Sequence, residues 1–387
     1  MNILHIIPTL DPTAGGPPRI ALRLAAGAAL LGHQVTLMAY DVPAARAGID
    51  QERREVPGVD RVTLKLLPPP TRLEAIFARG ARREIDAIIG QQSIIHTHNL
   101  WSGICRAAQA SAIAHHVPLV VLANGMLDPW SMRQKALKKK LALALGMRRT
   151  LNRAAFIHVG NQYEHDGVRA VGVTAPIEIV PNGIYPQEFD PLPERGRFYA
   201  QHPELKGQPF ILFLSRLHYK KGLDYLADAF AILAPRRPQV RLVVAGPDEG
   251  AQQPFEEAIR AAGLSDRVHM VGSIFSRDRY CALRDATCFC LPSRQEGFSI
   301  AILEAMASGT AVVVSDGCNF PEVGQRGAGD VVPLDARQIA ASLERVVSDK
   351  VLRTHMGDAG RAMVMSDYTW PRIAQGMVAA YERARTR

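Results

Sequence analysis

Two glutamates eight residues apart, Glu296 and Glu304, stand in the segment SRQEGFSIAILEAMASG at 293–309. The spacing predicts Glu296 in a loop and Glu304 about two turns into a helix that begins near Ser299. Carboxylates placed in this way can each accept hydrogen bonds from sugar hydroxyls. The amides of Gly297, Phe298 and Ser299 lie at the helix N-terminus, where N–H groups and the helix dipole favour an anion. The plainer alternative is an acidic residue that suits the dipole and a solvated Glu304. Glu304 is set among Ala, Ile and Leu, however, and if buried it needs a partner. Upstream, FILFLSRLHYKKG at 210–222 puts Arg216 and Lys221 just after an apolar run, with Lys220 beside them and Gly222 opening the next helix. A guanidinium fork and an ammonium point charge at a strand end suit a diphosphate. A solvated basic turn is the competing reading. The loop Gly15-Gly16-Pro17-Pro18, after a first strand that ends in Pro8, is either a simple turn or a place where the Gly16 amide approaches a phosphate. It is not GxGxxG, and no acidic residue closes the second strand to hold a ribose, which counts against a nicotinamide site.

These residues need strands that end beside them. Short apolar runs predict strands at 2–7, 34–39, 62–67, 94–98, 118–122, 155–159 and 177–180 in the first half. The second half gives 210–214, 240–245, 267–271, 287–291 and 311–315. Runs such as FILFL and AVVV read as parallel strands buried on both faces. Helical stretches between them, such as 17–31 and 222–235, make βαβ units and an α/β, doubly wound architecture. The proline-rich stretch 181–208, poor in apolar residues, predicts a linker. Two Rossmann-like domains, 1–185 and 190–368, would then face each other across a cleft. Ligands of such sheets sit at the carboxyl ends of the strands, where the candidate residues lie.

The chain has 387 residues, 47% of them apolar and 21% charged, enough for two soluble domains. No apolar run reaches the roughly 18–20 residues that span a bilayer. MNILHIIPTL lacks a basic start and a cleavage site, and reads as a buried strand of a cytoplasmic protein rather than a signal peptide. The five cysteines show no metal-ligand spacing, and reduced, mostly buried thiols are expected. Residues 1–186 hold 21 Lys/Arg against 13 Asp/Glu, whereas 187–387 hold 25 against 24. Nearly all of the net +9 therefore sits in the first half, which favours an anionic partner there.

GGPP, PNGI at 181–184, RLHYKKG, EGFSIAILEAMASG, FPEV and the closing TWPRIAQGMVAAYE occur in an order that resembles the GT-B retaining glycosyltransferases of family 4, over nearly the whole chain. The resemblance implies that 1–185 binds the acceptor, 190–368 binds a nucleotide-sugar donor, and the helix 370–387 packs back on the first domain. It implies that Arg216 and Lys221 clamp the donor diphosphate and that Glu296 holds the transferred sugar. Glu304 would hold the ribose, and the backbone of Gly16 and of Gly297, Phe298 and Ser299 would complete the phosphate cradle. No metal or other cofactor is implied, and no DxD-like pair stands in a suitable place. Retention in this family is pictured as same-face attack, with the departing phosphate taking the acceptor proton.

A narrower likeness, to bacterial enzymes that extend surface polysaccharide or lipopolysaccharide, lies in IIHTHNLW at 94–101 and in ANGMLDPWSMRQKALKKKLALAL at 123–145. It implies that His98, Trp101, Asn124, Asp128 and Trp130 line the acceptor or sugar pocket, with His98 a catalytic candidate. His96 and His98 also read as core or capping histidines. Asn124 departs from the His or Arg common in relatives, Ser299 from Gly, and Tyr185 from Asp. The stretch 131–153 predicts one basic helix with Leu137, Leu141 and Leu145 on a face. It either rests on anionic lipid, where polyprenol-linked acceptors reside, or packs on its sheet with a solvated basic side. Nothing in the pattern supports a nucleic-acid partner. The donor base stays open between GDP and UDP. A nucleotide-sugar epimerase or hydrolase of the same architecture, or a nucleotide-binding regulator without turnover, are the alternatives.

Overall fold

The computed structural model describes residues 1–205 and 207–386. The chain folds as two units, one of residues 1–182 with 370–387 and one of residues 183–369.

The first unit is a seven-stranded, all-parallel sheet. Its strands are β1 (Asn2–Thr9), β2 (Gln34–Tyr40), β3 (Val62–Leu67), β4 (Ile94–Thr97), β5 (Leu119–Leu122), β6 (Phe156–Val159) and β7 (Ile177–Ile179), in the order β3-β2-β1-β4-β5-β6-β7. The second is a six-stranded parallel sheet: β8 (Phe210–Leu214), β9 (Arg241–Ala245), β10 (Val268–Gly272), β11 (Cys288–Leu291), β12 (Val312–Ser315) and β13 (Gly329–Val332), in the order β10-β9-β8-β11-β12-β13. Central strands are apolar at every position because helices cover both faces: every residue of FILFL and of CFCL is buried. The strand order reverses between β1 and β4 in one sheet and between β8 and β11 in the other. At such a reversal the two flanking crossovers leave to opposite faces, so a crevice opens beyond the strand ends.

Two expectations fail. The stretch 181–208 is not a linker. Phe189, Phe198 and Leu205 are fully buried in the core of the second unit, and Arg197–Gln201 forms a helix. Ile184 and Tyr185, placed with the first domain, belong to the second unit and are buried. Prolines and polar residues between the anchors hide the apolar signal, since three large side chains can dock an irregular segment without any period. The basic stretch 131–153 is not one helix either. It is divided into Pro129–Arg133, Ala136–Ala142, a π-helical turn Leu143–Met147 and Arg148–Asn152. Lys135 breaks it at φ 53° and Gly146 at φ 142°. All five cysteines are buried and unbonded to one another.

The last helix, Trp370–Arg385, belongs to the first unit and lies against Gly16–Leu30. A Cβ on Gly27 would come within 2.6 Å of the Ala374 Cβ, so the helices meet at a distance that only glycine permits. Among the described residues no helix is long and apolar enough to cross a membrane.

Candidate active site

In the second unit the switch point gathers Arg216 and Lys221 after β8 and the Ser293–Ser299 loop after β11. Lys221 ends a short 3₁₀ turn, Tyr219–Lys221, and Gly222 follows at φ 69°. A Cβ on Gly222 would sit 1.9 Å from the Pro292 carbonyl oxygen, so the turn closes on the end of β11 only with glycine. That closure brings Lys221 Nζ to 2.6 Å from Glu296 Oε1. The Ser293 hydroxyl donates to the same oxygen at 2.6 Å. Two bonds fix the loop: the Glu296 backbone amide donates to Gly317 O at 2.9 Å, and the Asn319 side-chain Nδ2 donates to Glu296 O at 2.8 Å. Glu296 and Lys221 side chains are only 10% and 13% exposed. Burial works against the Glu296 charge, but Lys221, Ser293 and Lys220 outweigh it and hold the carboxyl below its usual range.

Arg216 lies on the same loop, is about half exposed, and donates to both oxygens of Glu249 at 2.7 Å. Any diphosphate taken by Arg216 competes with this carboxylate. Gly297 and Phe298 lead into Ser299, which caps the helix Ile300–Ala307 without a side-chain cap bond. The Phe298 ring packs against Phe320 and Tyr368 at centroid distances of 4.9 and 5.8 Å, which anchors the loop to the second unit's core. Glu304, on the second turn of that helix, is buried and has the partner its surroundings demand: Arg279, at 3.0 Å.

In the first unit Gly16 opens the helix Gly16–Leu30 beyond β1. Pro17 and Pro18 have no amide hydrogen, so Gly16 and Arg19 carry the only N–H groups of the first turn. His98 and Trp101 follow β4. Asn124, Asp128 and Trp130 follow β5. Asn124 is left-handed at φ 48°, a conformation asparagine tolerates and a branched side chain resists. Asp128 is buried and caps the helix Pro129–Arg133, accepting from the Ser131 amide at 2.5 Å, so it has a structural task already. Trp101 is half-buried against the core, and its buried Nε1 has no hydrogen-bond partner among the described residues.

His98 sits in a histidine cluster that the sequence pattern only half revealed. His5 on β1 and His96 on β4 are register partners, and His98 follows two residues later. His5 Nδ1 lies 2.8 Å from His98 Nε2, and His98 stacks on His96 at 4.3 Å. His158 Nε2 faces Val180 O at 2.8 Å and so carries a proton. Its Nδ1 then accepts, at a long 3.4 Å, from His96 Nε2, and His96 Nδ1 accepts from the Tyr381 hydroxyl at 2.6 Å. Burial pushes all of them below the usual range, joined by repulsion from neighbouring rings at His5, His96 and His98 and opposed at His158 by its bond to Val180 O; His5 falls to about 3 and His158 to about 4. His5, His96 and His98 each bring a ring nitrogen within 4.8 Å of the others, the one such group among the described residues that could hold a metal. The 2.8 Å contact is a hydrogen bond, however. Two nitrogens on one tetrahedral zinc, each bonded at about 2.0–2.1 Å, stay about 3.3 Å apart. His96 is engaged at both nitrogens, so the cluster is built as a hydrogen-bonded chain.

Lys221, Glu296, Ser293, Arg216 and Glu304 place two cations and two carboxylates about the switch point of a Rossmann-like sheet, in a chain with two such sheets. That is the architecture of GT-B sugar transferases. The chain belongs to glycosyltransferase family 4: the family models for Glycosyl transferases group 1 and Glycosyltransferase Family 4 match residues 195–363 and 14–188. It is 28% identical over 313 residues to the alpha-maltose-1-phosphate synthase of Mycobacterium tuberculosis, covering 75% of this chain and 79% of that one. It is 35% identical over 168 residues to an MMP alpha-(1->4)-mannosyltransferase of Mycolicibacterium hassiacum, 42% of this chain and 40% of that one. The chain thus spans less than half the length of this second relative. In fold it is similar to Anabaena HepE, solved with UDP and glucose, at a TM-score of 0.79 and 18% identity over 99% of this chain and all of the other. Arg279, Ser293, Glu249 and His5 escape a reading of the sequence. Only His5 carries a usable signal, because β1 and β4 are neighbours in a doubly wound sheet.

Proposed function

We propose that this glycosyltransferase moves a hexose from a UDP- or GDP-linked donor to a glycan or polyprenol-linked acceptor in cell-surface polysaccharide synthesis, with retention and without a metal. The Lys221–Glu296 pair beside the Gly297–Ser299 amides carries this reading. Arg216 and Lys221 neutralise the diphosphate as its bond to the sugar C1 breaks, and fixed charges of this kind stabilise a leaving group without reorganisation. Glu296, kept ionised, accepts from hydroxyls of the transferred sugar. Glu304 accepts from the ribose. The acceptor oxygen bonds to C1 from the face the phosphate leaves, and its proton passes to the phosphate oxygen, so no protein nucleophile is needed. His98 lies at the acceptor side, with Trp101, Asn124, Asp128 and Trp130 around the pocket.

The first unit is the acceptor-binding part in this reading, and its surface suits a lipid-linked substrate. Leu137, Leu141 and Leu145 are 83%, 55% and 78% exposed, with Lys135, Lys138 and Lys140 alongside. Exposed leucines next to lysines favour peripheral contact with the anionic cytoplasmic face of a membrane. The test is transfer from UDP- and GDP-hexoses in excess chelator, with the anomeric configuration of the product read by NMR. An axial product from an axial donor, at full rate in chelator, supports the reading. An inverted product, or loss of rate restored by a divalent metal, contradicts it.

A further inference from the structure

One helix of the first unit turns its apolar face outward. The helix Arg72–Phe77, which follows β3, carries Leu73, Ile76 and Phe77 at the i, i+3, i+4 spacing of a single face, and they are 69%, 53% and 61% exposed. Pro68, Pro69 and Pro70 before it are exposed as well. Polar bonds hold its inner side. The Glu74 carboxylate accepts from the Tyr40 hydroxyl at 3.0 Å and from the Gly80 and Ala81 amides at 3.0 and 2.9 Å. Arg106 Nη2 donates to Ile76 O at 2.7 Å. A Cβ on Gly103 would sit 2.5 Å from Ala75 O, so the backbone of this helix lies directly on the start of the helix Gly103–Ala114. A surface helix ordinarily hides its apolar stripe, and an exposed one marks a contact surface.

The charge around that face is basic. Within 68–83 Glu74 is the one acid, and its oxygens are engaged inward. Arg82 faces Asp86 at 3.5 Å, whereas Arg72, Arg79 and Arg83 have no acidic partner among the described residues. In the parallel sheet the ends of β3 and β5 flank those of β1 and β4. The segments that follow β3 and β5, each with exposed apolar residues and cations, therefore leave one end of the sheet on either side of the loops that carry Gly16 and His98.

We propose that residues 68–83 form a second membrane-contact surface, which docks on an anionic phospholipid bilayer together with the leucines after β5 and turns the Gly16 and His98 loops towards it. The inference deepens the reading of a lipid-linked acceptor, but its test does not pass through transfer. Leu73, Ile76 and Phe77 enter the acyl boundary, and the guanidinium forks bind lipid phosphates. Two weak anchors on one rigid unit combine into firm attachment. A second copy docked patch to patch would set the arginines against one another, which disfavours that occupant.

The experiment is co-sedimentation of the whole protein with phosphatidylcholine vesicles, with and without phosphatidylglycerol. Leu73→Gln, Ile76→Gln and Phe77→Gln together should lower binding to the anionic vesicles about 10-fold or more. Arg72→Gln, Arg79→Gln and Arg83→Gln together should remove most of the gain from phosphatidylglycerol and flatten the dependence on salt. Both variants should melt as the wild type does, with the same response to UDP and GDP, because the replaced side chains are exposed. Anionic-vesicle binding equal to wild type in the Leu73, Ile76 and Phe77 variant overturns the inference, and leaves membrane contact to the segment after β5 if only the replacement of Leu137, Leu141 and Leu145 abolishes it. A wild type that does not sediment with anionic vesicles overturns both. A wild-type dimer in analytical ultracentrifugation that the Leu73, Ile76 and Phe77 variant dissolves, with vesicle binding intact, assigns the face to a second copy and also overturns the inference.

Discussion

At the scale of single residues, two of the ion pairs in the second-unit site lie in different surroundings. Lys221–Glu296 is nearly buried, so removing one partner strands the other charge, a loss of about 3–5 kcal/mol in such settings. Lys221→Met should therefore lower both the melting point and transfer, the latter about 100- to 1000-fold. Lys221→Met combined with Glu296→Gln should regain stability but not activity, and calorimetry beside a transfer assay separates the two. Arg216–Glu249 is half exposed and contributes at most about 1 kcal/mol. Glu249→Gln should leave melting almost unchanged and tighten nucleotide binding, because Arg216 is released from its competitor. Weaker binding in that variant would contradict the competition. These partners explain what the sequence could and could not disclose. Glu296, Lys221 and Arg216 stand in short motifs beside strand ends. Glu249 and Arg279 lie 33 and 25 residues from the groups they neutralise and meet them only in the fold. The need for a partner at Glu304 was legible from its apolar neighbours, but not which residue fills it.

At the scale of elements, glycine decides two junctions. Gly222→Ala should destabilise by more than about 1 kcal/mol, since the φ of 69° and the Pro292 carbonyl both exclude a Cβ. It should also weaken nucleotide binding by moving Lys221, and loss of stability with unchanged binding would detach the turn from the site. Twelve strands stand out in the sequence, the central ones as unbroken apolar runs because both faces of each sheet are covered there. β13 does not: GDVV is four residues long, carries Asp330 and is only partly buried. The segment 181–208 misleads for the opposite reason, its anchors Phe189, Phe198 and Leu205 being too sparse to form a pattern. In the basic segment, the exposed leucines support a surface role although the single helix does not exist. Replacing Leu137, Leu141 and Leu145 by glutamine should abolish sedimentation with anionic vesicles and spare binding of UDP and GDP. Sedimentation equal to wild type would remove this segment from the membrane proposal.

At the scale of the whole molecule, its titrating groups set a pH response. His5, His96, His98 and His158 are neutral in the folded state and have depressed values, so between pH 6.5 and about 3–4 the unfolded chain binds more protons. The stability they contribute is present above pH 6.5 and is lost as pH falls through that window. Glu296, depressed by Lys221, adds a loss in the same direction at lower pH. Glu164, raised to about 7 by burial, acts oppositely, and its contribution declines as pH rises from 4.5 to 7. The histidines outnumber it, so acid should unfold the first unit before the second. Amide exchange followed by unit from pH 7 to 5 checks the order.

The central claim, a nucleotide-sugar site clamped by Arg216 and Lys221, is tested most directly by melting the protein with UDP, GDP and their sugars, for the wild type and Arg216→Ala. A ligand at about 100 times its dissociation constant adds about 2.7 kcal/mol, a visible shift. The account predicts that one base family stabilises the wild type and that Arg216→Ala loses most of the shift. No shift with any of these nucleotides, or an equal shift in Arg216→Ala, would contradict it.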